Sequence, residues 1–224
     1  QPRSRGLGDV YKRQGESRRM GFDKLCAPLL GKPVLRHAVD AFCRCSSIDL
    51  VVVVCPAERF HAVLNDDFRV PVLRVDGGNL RQDSVRAGLK ALPPEVTLVA
   101  VHDGARPLID PISITQCLEA AAEHGAAALA RRVTETIKRA DTAGFARNSV
   151  DRQHLWYMET PQCFRVNVLR RAYRHVVERG LVVTDEVSAL ESIGVSTFLL
   201  ESTRPNIKIT VPLDLEFAAH WIES

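Results

Sequence analysis

Apolar residues along this chain alternate between two spacings. From Pro33 to Cys45 the residues Val34, Leu35, Ala38, Val39 and Phe42 recur at helical intervals, with Pro33 at a favoured first position. Ile48 to Cys55 then forms a continuous, β-branched run of the kind expected for a strand buried on both faces. The alternation continues with a helix over Ala57 to Leu64, a strand over Val70 to Val75 and a helix over Arg81 to Leu92, ended by Pro93 and Pro94. Val96 to His102 reads as the next strand, Ile112 to His124 as a helix and Ala126 to Val133 as a strand. Residues 134–155 are polar, and the alternation through Thr136, Ile137, Lys138 and Arg139 predicts an extended arm projecting from the body. Val166 to Arg179 and Asp185 to Ile193 have helical spacing. Val195 to Leu200 and Ile207 to Thr210 look strand-like, and Leu213 to Trp221 closes the chain as a helix. Strands and helices in alternation predict an α/β fold with a mostly parallel sheet and helices on both faces. At 224 residues one domain suffices, and there are no repeats or low-complexity linkers.

The segment Ser4 to Gln14 fits neither period and lacks the apolar core of a signal peptide. Asp9 to Gln14 back-translates to GATGTGTATAAGAGACAG, which resembles a transposon end used in sequencing libraries. Residues 1–14 are therefore set apart as non-native sequence, with a native basic extension as the alternative, and the domain is taken as residues 15–224. The charge supports this division. Arg3, Arg5, Lys12 and Arg13 against Asp9 account for the whole net charge of +3, so the body is neutral. With no basic stripe or interleaved aromatics, a nucleic-acid partner is not expected. No apolar run approaches the roughly 20 residues of a membrane helix, so a membrane protein is not expected either. The six cysteines are scattered and lack zinc spacing; they read as reduced, mostly buried residues of a cytoplasmic protein.

Three polar clusters carry candidate chemistry. Gly15 to Met20, followed by Lys24, can form a turn whose backbone N–H groups face phosphate, with Arg19 and Lys24 adding positive charge, although a solvated basic loop has the same pattern. Asp76-Gly77-Gly78 follows a strand and precedes Ser84. Glycines there allow a ligand close to the backbone, while an ordinary turn capped by Asp83 or Ser84 is an equal reading. Asp103 and Arg106 stand at a strand end, where ligands gather in sheets of this kind. A carboxylate there can hold Mg²⁺ whose remaining ligands are triphosphate and water, the plainer alternative being an internal ion pair.

The order of the motifs is more specific than any one of them. GxSRRM with Lys24, VAVHDGARP, ETIKRA, SVDRxxLW with ETPQCF, VTDEVSALE, and NIKIT before P-x-D-L resemble the 2-C-methyl-D-erythritol 4-phosphate cytidylyltransferases from Gly15 almost to the end. The resemblance implies a Rossmann-like nucleotidyltransferase sheet with a β-arm that reaches a second subunit of a homodimer. It implies transfer of CMP from CTP to the sugar-alcohol phosphate, with Mg²⁺ near Asp103. Arg19, Lys24 and Lys208 would surround the triphosphate and reacting phosphorus, and Gly15, Asp76, Gly77 and Ser84 would line the nucleoside. Thr136 and Arg152 on the arm would hold the substrate phosphate of the neighbouring subunit, with Arg106, Thr160 and Thr184 shaping that pocket. The chain departs from the family where Lys12-Arg13-Gln14 replaces an apolar strand ending in Ala-Ala, at Leu25 where many members have Gln, and at Arg204-Pro205.

The chemistry suits the residue types. A phosphate monoester is largely dianionic at neutral pH, its second pKa being about 6, so it needs no general base. The obstacle is repulsion between anions, which cations and alignment relieve. A cytidylyltransferase for ribitol 5-phosphate or another polyol phosphate would share the nucleotide loops. A noncatalytic nucleotide-binding protein is the rival from another class. A metal-dependent glycosyltransferase is disfavoured because no Asp-x-Asp follows a strand.

Overall fold

The computed structural model describes residues 7–9, 22–65 and 67–224. Its main sheet contains β1 (Leu7–Asp9), β4 (Val51–Val54), β5 (Val72–Val75), β6 (Leu98–Asp103), β7 (Ala126–Arg132), β10 (Trp156–Arg165) and β11 (Phe198–Glu201). The order across the sheet is β11-β7-β10-β6-β1-β4-β5. Two hairpins stand apart from it: β2 (Pro28–Leu29) with β3 (Lys32–Pro33), and β8 (Ile137–Ala140) with β9 (Ala146–Val150).

Side-chain alternation on the strands sends apolar groups to two cores. From β4, Val51 and Val53 join one core with Leu35, Val39 and Phe42 of α1 (Val34–Arg44) and Ile114, Leu118 and Ala121 of α4 (Pro111–His124). Val63 of α2 (Ala57–Val63) belongs to the same core. Val52 and Val54 face the other core, with Val85 and Leu89 of α3 (Arg81–Ala91). Leu169 and Val176 of α5 (Val166–Glu178) and Leu190 of α6 (Glu186–Glu191) complete it. The buried valines of β4 thus read in the sequence as one apolar run because both of their faces are covered. The closing helix α7 (Pro212–Glu223) packs through Ala218 against a third, smaller cluster with Ala27, Leu29 and Ile209. Among the described residues, no helix is long and apolar enough to cross a membrane.

Three elements differ from the sequence pattern. The sheet is mixed, because β10 runs antiparallel to both β6 and β7. No strand was expected there, since Pro161 interrupts the run and Glu159 and Gln162 are polar. The β10–β7 register shifts between Met158 and Gln162, around a cis Thr160-Pro161 bond, and resumes where Cys163 and Phe164 are fully buried. Ile207 to Thr210, expected as a strand, is irregular. Its apolar alternation reflects Ile209 buried under α7, with its N–H donated to Ala105 O at 2.8 Å. The third difference is at the amino terminus. Leu7–Asp9 fills the central position between β4 and β6, in a segment for which no element was expected. Its parallel pairing to both neighbours is a tertiary effect that a three-residue segment does not announce locally.

Within the segment expected as an arm, β8 and β9 pair as an antiparallel hairpin. Asp141 shapes its turn by accepting from Ala143 N at 3.0 Å and Phe145 N at 2.9 Å, and Gly144 takes the positive φ of 87° that the turn requires.

Candidate active site

β6 ends at Asp103, opposite Asp9 of β1, so the turn 104–107 leaves the sheet at the carboxyl ends of parallel strands. A chain of hydrogen bonds fixes this turn. His102 Nε2 lies 3.1 Å from Arg106 O, and a carbonyl can only accept, so Nε2 carries the proton. His102 Nδ1 is then an acceptor and takes the hydroxyl hydrogen of Thr160 at 3.0 Å. Thr160 Oγ1 in turn accepts from Asp103 N–H at 3.0 Å. Both ends of the turn are therefore held by one neutral imidazole. Burial, the dominant effect, pushes the His102 pKa down to about 4, in keeping with that neutral form.

Asp103 meets three cations. Lys208 Nζ is 2.6 Å from Oδ2, Arg81 Nη2 is 3.8 Å from Oδ1, and Arg106 Nε is 4.0 Å from Oδ2. Burial opposes ionisation most strongly, but Lys208, Arg81 and Arg106 together outweigh it and hold the carboxyl well below the usual range. The ion pair considered for Asp103 and Arg106 is thus the longest of the three contacts. Arg106 donates Nη1 to Asn206 O at 2.6 Å and Nη2 to Met158 O at 3.3 Å, which ties the turn to β10 and to the segment before Lys208. Its buried Nε has no hydrogen-bond partner among the described residues.

Asp103, Arg106, Thr160, Thr184 and Lys208 all line one cavity of about 390 Å³. Arg81, Glu159, Gln162, Asp185 and Ser188 line it too. Asp185 caps α6, its Oδ1 accepting from Ser188 N at 2.9 Å, while Thr184 Oγ1 is 3.2 Å from Ser188 Oγ. Lys24 Nζ donates to Ile209 O at 2.9 Å, one residue beyond Lys208.

The glycine turn sits at the carboxyl end of β5. Ser84 Oγ accepts from Gly78 N at 3.3 Å, and Asp83 Oδ2 accepts from Leu80 N at 3.2 Å, so both side chains shape the turn. Asp76 is exposed and held in a fork by Arg74 at 2.5 and 3.0 Å. A Cβ at Gly77 would lie 2.8 Å from Ser84 Oγ, and one at Gly78 only 2.3 Å from Asp83 Cβ. Gly78→Ala is therefore expected to destabilise the protein by about 1–3 kcal/mol. The check is the urea midpoint; an unchanged midpoint would show that the turn yields freely.

Thr136 and Arg152 are exposed on or beside the arm and do not line the cavity within this chain. Gly15 and Arg19 lie outside the described residues. For Mg²⁺, the described residues contain no cluster of three or more His, Cys, Asp or Glu side chains. The ionised carboxylate of Asp103 fits an ion that takes most of its ligands from phosphate and water, the pattern Mg²⁺ favours.

Sequence reasoning passed over the supporting residues. Glu186 accepts both terminal nitrogens of Arg81, one of them at 2.7 Å, and the Tyr173 hydroxyl at 2.8 Å. Gln162 Oε1 accepts from Glu186 N and Val187 N at 3.2 and 3.3 Å, which secures the start of α6. Glu159 accepts from Ser202 and Asn206. A polar residue embedded in an apolar run, as Gln162 is before Cys163 and Phe164, was the one local signal available.

A carboxylate-and-cation pocket at the strand ends of an α/β sheet defines a protein built to handle phosphorylated ligands. A sequence model of the IspD family, described as 2-C-methyl-D-erythritol 4-phosphate cytidylyltransferase, matches residues 12–224. The enzyme of that name from Prochlorococcus marinus (strain MIT 9313) is 40% identical over 208 residues, covering 91% of this chain and 92% of that protein. The chloroplastic enzyme of Oryza sativa subsp. japonica is 38% identical over 221 residues, covering 96% and 74%. The crystal structure of 2-C-methyl-D-erythritol 4-phosphate cytidylyltransferase from Francisella tularensis superposes with a TM-score of 0.83 at 28% identity, over 97% of this chain and 100% of that one. The chain belongs to the IspD family.

Proposed function

We propose that this protein transfers CMP from CTP to 2-C-methyl-D-erythritol 4-phosphate, giving 4-diphosphocytidyl-2-C-methyl-D-erythritol and pyrophosphate for isoprenoid precursor synthesis. A phosphate oxygen of the sugar alcohol attacks the α-phosphorus of CTP, and the bond from that phosphorus to the bridging oxygen breaks, so pyrophosphate leaves. The observation that carries the reading is Asp103 with Lys208 at 2.6 Å, on a cavity also lined by Thr184 and Asp185. Hydroxyl and carboxylate groups together with cations on one cavity suit a polyol phosphate.

Lys208, with Lys24 anchored beside it, offsets the charge on the reacting phosphates, and Arg19 adds to them. Bound at Asp103, Mg²⁺ would supply further positive charge to the triphosphate. Gly15, Asp76, Gly77 and Ser84 approach the nucleoside. Arg106 and Thr160 frame the polyol-phosphate pocket through the bonds described above, and Thr184 offers it a hydroxyl. Thr136 and Arg152 are assigned to the pocket of a second subunit, since they flank the β8–β9 hairpin, are exposed and do not line the cavity of their own chain. That arrangement requires a homodimer. The sheet corresponds to a Rossmann-like nucleotidyltransferase core with one antiparallel insertion, and residues 1–14 are read as non-native sequence of which Leu7–Asp9 takes the central strand position. Six free cysteines suit a reducing compartment such as the cytoplasm.

Pyrophosphate release from CTP and Mg²⁺ tests this, with methylerythritol phosphate and ribitol 5-phosphate as alternative acceptors. Release with methylerythritol phosphate alone is expected. A second version carries an apolar strand ending in Ala-Ala in place of residues 1–14. No release by either version, both being folded, would overturn the enzymatic reading in favour of nucleotide binding alone.

A further inference from the structure

Glu186 is the most deeply buried charged side chain among the described residues, with no exposed surface. A lone charge in that position is costly, and an apolar pair of similar volume would serve stability as well as the ion pair does. Its placement suggests another use. Glu186 opens α6, next to Thr184 and Asp185 on the polyol-phosphate side of the cavity. Arg81 opens α3, directly after the glycine turn on the nucleotide side. The forked bonds between them join the two helix starts across 105 residues of sequence.

The guanidinium of Arg81 also lies between two carboxylates. Glu186 holds both of its terminal nitrogens, whereas Asp103 Oδ1 remains 3.8 Å away, beyond hydrogen-bonding distance. Lys208 sits on the other oxygen, Oδ2. Were the fork to Glu186 lost, Arg81 would be drawn onto Oδ1 and both Asp103 oxygens would be occupied by protein cations. We propose that Glu186 is a positioning residue that holds Arg81 back from Asp103 and fixes the spacing between the nucleotide and polyol-phosphate halves of the site. The inference rests on the function proposed above.

The test compares the wild type with Glu186→Gln, in turnover and in Mn²⁺ binding in the presence of CTP, followed by the electron paramagnetic resonance of the free ion. Glu186→Gln is expected to lower kcat by about 10- to 100-fold, the scale of a displacement of about 1 Å in an aligned site. It is also expected to weaken Mn²⁺ binding about tenfold, a readout that a purely structural role would not move. A lower melting temperature with wild-type kcat and wild-type Mn²⁺ binding in the folded variant would overturn the proposal. Glu186→Asp keeps the charge but draws the fork back, and a smaller loss, about threefold in both readouts, is expected of it. Should Glu186→Gln not fold, wild-type values in Glu186→Asp would overturn the proposal instead. A wild type that released no pyrophosphate would count against the proposed function, while the Mn²⁺ comparison would still decide the role of Glu186.

Discussion

Lys208→Ala lowers kcat by about 10²- to 10³-fold, the scale on which a single preorganised group stabilising transition-state charge is worth, and leaves the melting temperature nearly unchanged. The two halves of this expectation come from the same geometry. The Lys208 side chain is 39% exposed and lines the cavity, so little buried surface depends on it. Without it, Asp103 still has Arg81 and Arg106 nearby and is not stranded as an isolated buried charge. What is lost, on the proposed mechanism, is a positive charge that offsets the charge of the reacting phosphates. Lys208→Arg restores the charge but as a planar fork on a longer stem, and recovery is expected to be incomplete. Steady-state pyrophosphate release with parallel thermal unfolding reads both effects. A variant within about threefold of wild-type turnover would remove Lys208 from the chemistry.

The parts of the fold that were legible in the sequence are those whose pattern is set locally. Helices α1, α4 and α5 show an apolar stripe because one side of each meets the sheet, and the start of α1 follows from Pro33. β4 is legible because covering both faces leaves no polar alternation. What escaped was set by distant partners. β10 holds Glu159, Thr160, Pro161 and Gln162 in mid-strand, and those polar groups are satisfied by Asn206, His102, Asp185 and the start of α6, none of them near in sequence.

The candidate site divides in the same way. Asp103 and Lys208 were singled out through ordered motifs, and the fold brings them to 2.6 Å. Thr160, expected to help shape the polyol-phosphate pocket, lines the cavity with its hydroxyl engaged by Asp103 N and His102 Nδ1. Glu186 carried no local mark, since a glutamate at a helix start is ordinarily a solvated one. The approach of Arg81 and of the Tyr173 hydroxyl makes its burial tolerable.

As pH falls from 6.5 to 4, His102 alone is expected to cost the fold about 3 kcal/mol, from a lowering of its pKa to about 4 at 1.36 kcal/mol per unit. Below the ordinary histidine pKa of 6.5 the unfolded chain takes up a proton at this residue, whereas the folded protein resists protonation until about pH 4. The unfolded state therefore binds more protons throughout that window, and stability falls with pH. Asp103 acts lower: its depressed carboxyl contributes stability above the ordinary carboxylate range, which is lost only as pH drops below that range. His102→Gln offers an amide N–H and a carbonyl in place of the ring nitrogens but cannot titrate, so its unfolding free energy should be flatter across this window. Urea unfolding at closely spaced pH values measures the difference, and subtraction cancels the other six histidines of the chain's seven. Equal slopes in the two proteins would mean that His102 already titrates near its ordinary value when folded. The neutral relay from Asp103 through Thr160 to Arg106 would then not be what holds the active-site turn.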